Sequence, residues 1–351
     1  MSEPNSPALT PTEQSLLHAL LSPSNSGMSQ AANSKRRALA KAITLIESTR
    51  TDHRQRAQQL LSALLPYTGQ NAENTSTLRI GISGVPGVGK STFIEHLGNY
   101  LIDAGARVAV LAVDPSSSLS GGSILGDKTR MESLCQRSEA FIRPSPSCGS
   151  LGGVADKTRE AMLLCEAAGF NVIIVETVGV GQSEIAVAGM VDLFVLLQLA
   201  NAGDDLQAIK KGIVELADLI VFNKADLDPR ATEIACAQMQ SAVHLLRPNS
   251  PHWQPPVLSS SAAQGHGIAE FWAQVTRYRD TLTASGEFAE KRQRQALNWM
   301  WNLIDSGLAR AFRAHPQVRA QLAQLSQAVL QGETPPGAAA DQLLRAWDYS
   351  K

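Results

Sequence analysis

Residues 84–91 read Gly84-Val85-Pro86-Gly87-Val88-Gly89-Lys90-Ser91, which satisfies the pattern G-x-x-x-x-G-K-[ST]. A β-branched apolar run, Leu78–Ser83, comes directly before this stretch, and the helical pattern of Ser91–Ala104 follows it. Glycines at this spacing allow successive backbone N–H groups to turn inward around phosphate oxygens. The stretch therefore predicts a phosphate-binding loop between a strand and a helix.

The last residues of this loop supply a charge and a hydroxyl. Phosphate chemistry needs a lysine that reaches the β- and γ-phosphates and a hydroxyl on Mg²⁺, and Lys90 and Ser91 fill these roles. Thr92 follows, and we count it with the nucleotide-binding residues. An ordinary glycine-rich turn is the plain alternative. A dinucleotide-binding loop fits less well, because the spacing here is G-x-x-G-x-G and a lysine follows the last glycine.

Short β-branched runs alternate with helical stretches on both sides of the loop. Seven strands are expected, at Leu78–Ser83, Arg107–Val113, Ala140–Arg143, Asn171–Val175, Asp192–Leu197, Asp218–Phe222 and Val257–Ser260. This alternation indicates βαβ units and a mostly parallel sheet covered on both faces. We therefore expect an α/β fold of the P-loop NTPase class.

The 351 residues exceed what the sheet needs. We expect a flexible start over residues 1–33, an N-terminal helical extension over 34–77, the G domain over 78–285 and a C-terminal helical arm over 286–351. Apolar side chains of the arm share one helical face, at Leu297, Met300, Trp301, Ile304, Leu308 and Phe312. Such a stripe packs on its own domain or on a second copy. Trp299 and Leu303 widen it, which favours a homodimer built with the arm.

Composition excludes several classes of protein. The 31 basic and 32 acidic residues leave a formal charge of −1, so no whole-molecule field attracts nucleic acid or membrane. No apolar run reaches the ~18 residues of a membrane span, and residues 1–33 lack the Lys and Arg of a targeting segment. The four cysteines form no C-x-x-C pair. We expect a cytoplasmic protein.

Asn223-Lys224-Ala225-Asp226 follows the strand Asp218–Phe222 and matches N-K-x-D. The Asp226 carboxylate can accept from the ring N–H and the exocyclic amine of guanine, whereas adenine would leave it partly unpaired. Ser261-Ala262 stands where a backbone N–H meets the guanine oxygen. GTP and GDP are therefore the expected ligands. The four residues of this motif, taken alone, also fit an ordinary turn at the end of a strand.

Glu176-Thr177-Val178-Gly179 places a carboxylate at the end of a buried strand, with a glycine three residues later. We expect Glu176 to hold Mg²⁺ through a water and the Gly179 N–H to meet the γ-phosphate. Val180 stands where Ras-type enzymes carry a water-orienting glutamine, so slow intrinsic hydrolysis is expected, with Gln182 as a candidate for that role. An exposed strand-end charge is the alternative for Glu176.

Two further carboxylates, Asp114 and Asp127, lie in a glycine-rich polar stretch after the strand Arg107–Val113. Ligands of open α/β sheets bind at the carboxyl ends of strands, so both residues are candidates for the Mg²⁺ shell or for the attacking water. The alternative for Asp127 is capping of a predicted helix, Lys128–Arg137.

Together the motifs closely resemble the MeaB/ArgK family of G3E GTPases. The resembling blocks are residues 84–92, 114–117, 120–131 (SGGSILGDKTRM), 143–147, 151–155, 176–184 (ETVGVGQSE) and 203–212, within a span of roughly residues 35–310. The resemblance implies a chaperone of adenosylcobalamin-dependent methylmalonyl-CoA mutase that gates cofactor loading and protects or reactivates the mutase. It also implies the roles given above for Lys90, Asp114, Asp127 and Glu176, a mobile third switch near Gly203–Lys211, and a homodimer.

Three places depart from the family pattern: Ser118, Cys148 and Ala200-Asn201-Ala202. The last lies in the expected third switch, so a related acyl-CoA mutase is an alternative client. A metallocentre insertion protein would need Cys and His clusters, but the seven histidines are scattered singly. An ArgK-type kinase of a transport protein would use ATP. The N-K-x-D motif argues against this, because it selects guanine over adenine. A static nucleotide-bound interaction protein would bind GTP without turnover.

Overall fold

The computed structural model describes residues 9–22, 29–68, 77–113, 131–143, 151–177, 183–200, 211–246 and 248–347. Seven strands form one sheet: β1 Leu78–Gly84, β2 Val108–Val113, β3 Ala140–Arg143, β4 Val172–Thr177, β5 Leu193–Gln198, β6 Leu219–Phe222 and β7 Val257–Ser259. Their order is β3-β2-β4-β1-β5-β6-β7, and all six pairings are parallel. The predicted α/β fold and its seven strands are confirmed.

Strand ends move by one or two residues from the prediction. The largest change is at β4, which continues to Thr177 because Glu176 and Thr177 pair with Ala112 and Val113 of β2. The central strands are nearly continuous apolar runs, as expected for a parallel sheet that is buried on both faces. β1 lies in the middle of the sheet, so its carboxyl end opens between the ends of β4 and β5.

Thirteen α-helices occur within the described ranges. They are α1 Pro11–Leu21, α2 Ser29–Glu47, α3 Thr51–Leu64, α4 Lys90–Asp103, α5 Glu132–Gln136, α6 Leu151–Ala167, α7 Ser183–Ala188, α8 Lys211–Leu216, α9 Pro229–Leu245, α10 Ile268–Ser285, α11 Glu287–Ala314, α12 Pro316–Leu330 and α13 Pro336–Ala346. None of these helices has the length and apolar character of a membrane span.

The predicted helix Lys128–Arg137 is wrong in its start. Helix α5 begins only at Glu132, because Met131 has non-helical backbone angles (φ −128°, ψ 56°). Asp127 is among the residues that the structure does not describe, so its capping alternative stays a prediction. Residues 114–130 lie outside the described residues.

Helices α1 to α3 pack into the same hydrophobic core as one face of the sheet. Leu39, Ile43 and Leu60 are fully buried and belong to one cluster with Ile173 and Phe194 of the central strands. The other face carries α4, α5 and α10. The N-terminal helices therefore bury the sheet and do not form a core of their own.

The chain divides into two compact units, Met1–Arg292 and Gln293–Lys351. Helix α11 begins in the first unit and continues into the second, which also contains α12 and α13. Within the second unit, Phe312 and Trp347 contact edge to face, with ring centroids 5.4 Å apart. The four-part division expected from the sequence, with its arm from residue 286, stays a prediction.

Candidate functional site

The loop from Gly84 to Lys90 connects β1 to α4, as the motif predicts. Gly89 has a left-handed backbone (φ 93°), and a Cβ atom there would lie 2.7 Å from Asn223 Nδ2. At Gly84 a Cβ atom would lie 2.5 Å from the carbonyl oxygen of Leu197. Any larger residue at these two positions would push the loop away from its neighbours.

Lys90 is the first residue of α4, and its side chain is buried against the loop. Its Nζ donates hydrogen bonds to the carbonyl oxygens of Gly84 at 2.7 Å and Val85 at 3.4 Å. The ammonium group is therefore held within the loop that precedes it. This is where the sequence places a lysine for the β- and γ-phosphates.

Ser91 and Glu176 come together from two elements. The Ser91 Oγ donates a hydrogen bond to Glu176 Oε1 at 3.2 Å. Glu176 is only 6% exposed, so the alternative of an exposed strand-end charge is wrong. A hydroxyl and a carboxylate are oxygen ligands of the kind that Mg²⁺ prefers, so these residues fit the metal that the sequence predicts.

Asn223 links the phosphate loop to the opposite side of the site. Its Nδ2 donates to the Val88 carbonyl at 2.8 Å, and its Oδ1 accepts from the backbone N–H of Ala262 at 3.0 Å. Asn223 is 2% exposed and follows β6 directly. One amide side chain therefore fixes the loop after β1, the turn after β6 and the turn after β7 relative to one another.

Asp226 lies in the same turn. The Ser261 hydroxyl donates to Asp226 Oδ1 through a short hydrogen bond. Lys224, between Asn223 and Asp226, is left-handed (φ 59°), which is uncommon for a residue other than glycine; such strained residues cluster at functional sites. The hydrogen bond and this backbone together fix the direction of the Asp226 carboxylate.

A cavity of about 440 Å³ opens beside Asp226. It is lined by Ala225, Asp226, Ser259, Ser260, Ser261, Gln264, His266, Gly267 and Glu270. The His266 carbonyl accepts from Ser260 Oγ at 2.8 Å and from the Ser261 N–H at 3.1 Å, which shapes the wall after β7. Gln264, His266 and Glu270 match no motif and were not predicted; their position after Ser261-Ala262 was the only signal in the sequence.

Several predicted residues cannot be compared with the geometry. Asp114, Asp127, Gly179 and Gln182 lie outside the described residues. So do Ser118, Cys148, Asn201, Ala202 and residues 203–210 of the expected third switch. Their roles stay predictions.

The described site thus consists of a phosphate loop after β1, a buried carboxylate in β4, N-K-x-D after β6 and a backbone N–H after β7. These elements, on one edge of a parallel sheet, define a P-loop GTPase. The chain matches the family described as "Methylmalonyl Co-A mutase-associated GTPase MeaB" over residues 39–317. It belongs to this MeaB family and is a GTPase that binds guanine nucleotides.

Named relatives support the same assignment. GTPase ArgK of Escherichia coli is 53% identical over 268 residues, which cover 76% of this chain and 79% of that protein. The mitochondrial methylmalonic aciduria type A homolog of Mus musculus is 50% identical over 319 residues, or 89% of this chain and 77% of that protein. The crystal structure of an LAO/AO transport system kinase is 39% identical, with a TM-score of 0.71 over 95% of this chain and 96% of that chain. The resemblance to the MeaB/ArgK family is confirmed.

Proposed function

We propose that this GTPase is a G-protein chaperone of an adenosylcobalamin-dependent acyl-CoA mutase, with methylmalonyl-CoA mutase as the first candidate client. In this role it gates cofactor loading and protects or reactivates the mutase. The observation that carries the proposal is the match to the mutase-associated GTPase family over residues 39–317. The name of the mouse relative, which refers to methylmalonic aciduria, supports the same client.

The proposed nucleotide site uses the residues of the described edge. Backbone N–H groups of residues 84–89 and the Lys90 ammonium neutralise the phosphates. The Asp226 carboxylate, oriented by Ser261, accepts from the guanine base. The Ala262 N–H donates to Asn223 Oδ1 in this structure, and in the nucleotide complex it is proposed to share this donation with the guanine oxygen. Because Asn223 bonds both Val88 and Ala262, base and phosphates are bound to one connected framework.

Ser91 and Glu176 are the proposed protein ligands of Mg²⁺, Glu176 through a water, with Asp114 and Asp127 proposed for the same shell. The metal, when bound, neutralises charge that develops on the phosphate oxygens. Gln182 is proposed to orient the attacking water in an assembled state, because Val180 has no polar group for that role. Intrinsic hydrolysis is therefore expected to be slow without the client.

Nucleotide and client are proposed to communicate through the switch segments. The γ-phosphate orders these segments in GTPases of this class, and hydrolysis releases them. If the mutase binds one nucleotide state better than the other, linkage requires that it also changes nucleotide affinity. A static nucleotide-bound protein would lack this coupling.

A homodimer is proposed from the second compact unit. Leu297, Trp301 and Leu308 on α11 are 58%, 59% and 50% exposed, although they are large and apolar. Met300 and Ile304 lie on the same stripe and are also exposed. A contiguous apolar stripe of this kind indicates a surface that another protein covers. We propose a second copy of this chain as its occupant, because Trp299 and Leu303 widen the stripe beyond one contact face.

The two alternative functions, a kinase of a transport protein and metallocentre insertion, would each require a different kind of site. A kinase of a transport protein would need ATP, whereas Asp226, held by Ser261, is proposed to accept from the donors of guanine. Metallocentre insertion would need a cargo-metal site built from Cys and His at ligand spacing. The mutase therefore remains the favoured client, and a related acyl-CoA mutase is the nearest alternative.

The chaperone role is tested by following mutase activity over time during turnover. Purified methylmalonyl-CoA mutase is run with this protein and GTP, with this protein and GDP, and alone. The proposal predicts slower inactivation, or recovery after inactivation, only in the presence of this protein and GTP. The same loss of mutase activity in all three reactions would contradict the chaperone role while leaving the GTPase assignment intact.

A further inference from the structure

Two buried hydroxyl groups join β1 and β4 where their ladder ends. The paired register of these strands runs from Leu78↔Val172 to Ile82↔Glu176. The next residue on each strand, Ser83 and Thr177, is joined by side chains, since the Thr177 Oγ1 donates to the Ser83 Oγ at 3.0 Å. Ser83 is 1% exposed and Thr177 is fully buried. The hydroxyl pair thus extends the contact between the strands by one residue.

These hydroxyls lie on the face of the sheet that packs against the cluster of Val175 and Leu196. Side chains alternate along a strand, so Thr177 and Val175 share a face and Glu176 points to the other one. Helix α7 packs tightly on the Thr177 face, because a Cβ atom at Gly81 would lie 2.7 Å from Val187 Cγ1. Burying a hydroxyl costs free energy that one hydrogen bond only partly offsets, and valine or alanine would fill this space without that cost. Packing alone therefore gives no reason for two hydroxyls here.

Their places in the chain suggest a reason. Ser83 precedes Gly84, whose carbonyl oxygen accepts from Lys90 Nζ at 2.7 Å. Thr177 follows Glu176, whose Oε1 accepts from Ser91 Oγ at 3.2 Å. The hydroxyl pair thus connects the start of the phosphate loop directly to the residue beside the buried carboxylate.

We propose that Ser83 and Thr177 are positioning residues, whose hydrogen bond holds the Glu176 carboxylate in place relative to Lys90 and Ser91. Through Glu176, the pair sets how tightly Mg²⁺ is held in the nucleotide complex and how fast GTP is hydrolysed. The proposal rests on the roles proposed above for Glu176 and Ser91. It assigns function to a contact on the opposite side of the sheet from the carboxylate itself.

Four variants separate the hydroxyl from the shape of the side chain. Thr177→Val removes the hydroxyl at nearly constant volume, and Ser83→Ala removes its partner. Thr177→Ser keeps the hydroxyl and loses a methyl group. The matched control is Thr158→Val, because Thr158 is 5% exposed and, among the described residues, its hydroxyl bonds within helix α6, to the Val154 carbonyl at 2.9 Å.

Three measurements are made on each full-length variant: kcat and KM for GTP, the Mg²⁺ concentration that half-maximally slows release of a fluorescent GDP analogue, and the unfolding midpoint without ligand. Thr177→Val and Ser83→Ala should raise that Mg²⁺ concentration and lower kcat by about fivefold to tenfold, with KM nearly unchanged. Thr177→Ser should restore both values to near those of the parent. The double variant, Thr177→Val with Ser83→Ala, should have the same kcat and Mg²⁺ dependence as either single variant, because both substitutions remove the same hydrogen bond.

The control decides whether stability explains the effect. Thr158→Val should lower the unfolding midpoint to a similar extent and leave kcat and the Mg²⁺ dependence unchanged. Parental Mg²⁺ dependence and kcat in Thr177→Val would overturn the proposal, and so would equal impairment of Thr177→Val and Thr177→Ser. If the rate of nucleotide release from the parent does not depend on the Mg²⁺ concentration, the proposed magnesium site is wrong. The positioning role of Ser83 and Thr177 is then wrong as well.

Discussion

Ser91 Oγ donates a hydrogen bond to Glu176 Oε1 at 3.2 Å, which brings the first turn of α4 against β4. The two residues are 85 positions apart in the chain. The parallel sheet brings them together, because β1 and β4 are neighbours and end at the same edge. A buried carboxylate with a hydroxyl partner at this edge is the chemical basis of the proposed metal site.

Glu176→Gln tests that site. Glutamine keeps the shape of the side chain and can still accept from Ser91, but it loses the negative charge that favours a divalent cation. Hydrolysis of GTP at limiting Mg²⁺ should fall by at least about tenfold, since charge-assisted contacts contribute about 1.5 to 3 kcal/mol. Turnover is measured across a Mg²⁺ titration, with the exposed Glu132→Gln as the matched control. An unchanged titration in Glu176→Gln would rule out its metal role.

Asp226→Asn tests the choice of base. The exchanged amide can donate to the oxygen that xanthine carries in place of the guanine amine, and it no longer accepts from both guanine donors. Binding of GTP should weaken relative to xanthosine triphosphate by about tenfold or more, because a buried donor without an acceptor costs about 1 to 3 kcal/mol. Competition binding with the two nucleotides measures this ratio. A variant that discriminates as the parent does would refute the assignment of guanine recognition to Asp226.

Arg292 is expected to stabilise the first compact unit. It binds Asp192 through two hydrogen bonds, from Nε at 2.7 Å and Nη2 at 2.6 Å, and both side chains are buried. Arg292→Met leaves Asp192 as a buried charge without this partner, so the free energy of unfolding should fall by about 3 to 5 kcal/mol. Urea unfolding at neutral pH measures the change. Arg294→Met, on the same helix, is the matched control, and equal losses in the two variants would contradict the role of the pair.

The same pair predicts a dependence on pH. Burial by itself raises the pKa of Asp192, but the charge and hydrogen bonds of Arg292 outweigh burial and hold the pKa below its ordinary value of 3.8. A lowered pKa in the folded state stabilises the protein above pH 3.8, and this stabilisation is lost as the pH falls through the folded-state pKa. In Arg292→Met the opposing charge and hydrogen bonds of Arg292 are lost, so the pKa of Asp192 should rise. Protonation of Asp192 removes the buried charge, so the difference in stability between parent and variant should shrink as the pH falls through the folded-state pKa values of Asp192, as acid unfolding curves would show.

Trp301→Glu tests the proposed dimer. A charge in the centre of the exposed α11 stripe should weaken self-association by at least about thirtyfold, because a buried aromatic anchor contributes about 2 kcal/mol or more to an interface. Sedimentation of the full-length protein across a range of concentrations measures this. Leu245→Glu introduces the same charge at a residue that is 88% exposed in the first unit, and it should sediment as the parent does. A dimer that survives Trp301→Glu unchanged would exclude the stripe as the interface.

Local patterns predicted the strands and the phosphate loop because these depend on neighbours in the chain. The apolar run that ends at Val175 and the glycines before Lys90 are both signals of this kind. The hydrogen bonds from Thr177 to Ser83 and from Arg292 to Asp192 span 94 and 100 residues, and no spacing in the sequence encodes such pairs. They follow only from strand order and register.

The sequence also did not predict whether Glu176 is buried or exposed. From the sequence, a glutamate at a strand end could be either an exposed charge or a buried metal ligand. Glu176 is buried because β4 packs between β1 and β2. The start of α5 was misjudged for a related reason. The polar residues from Lys128 onward fit a helix, but the backbone at Met131 departs from helical angles.

We propose that this GTPase binds an adenosylcobalamin-dependent mutase and that its nucleotide state and the mutase are coupled. The most direct measurement mixes the purified protein with methylmalonyl-CoA mutase and follows complex formation and GTP turnover together, with Lys90→Ala as the nucleotide-deficient control. We predict a complex whose affinity differs between GTP and GDP, and turnover that the mutase raises by about fivefold or more, with neither effect in Lys90→Ala. Absence of a complex in every nucleotide state, with turnover unchanged by the mutase, would contradict the claim.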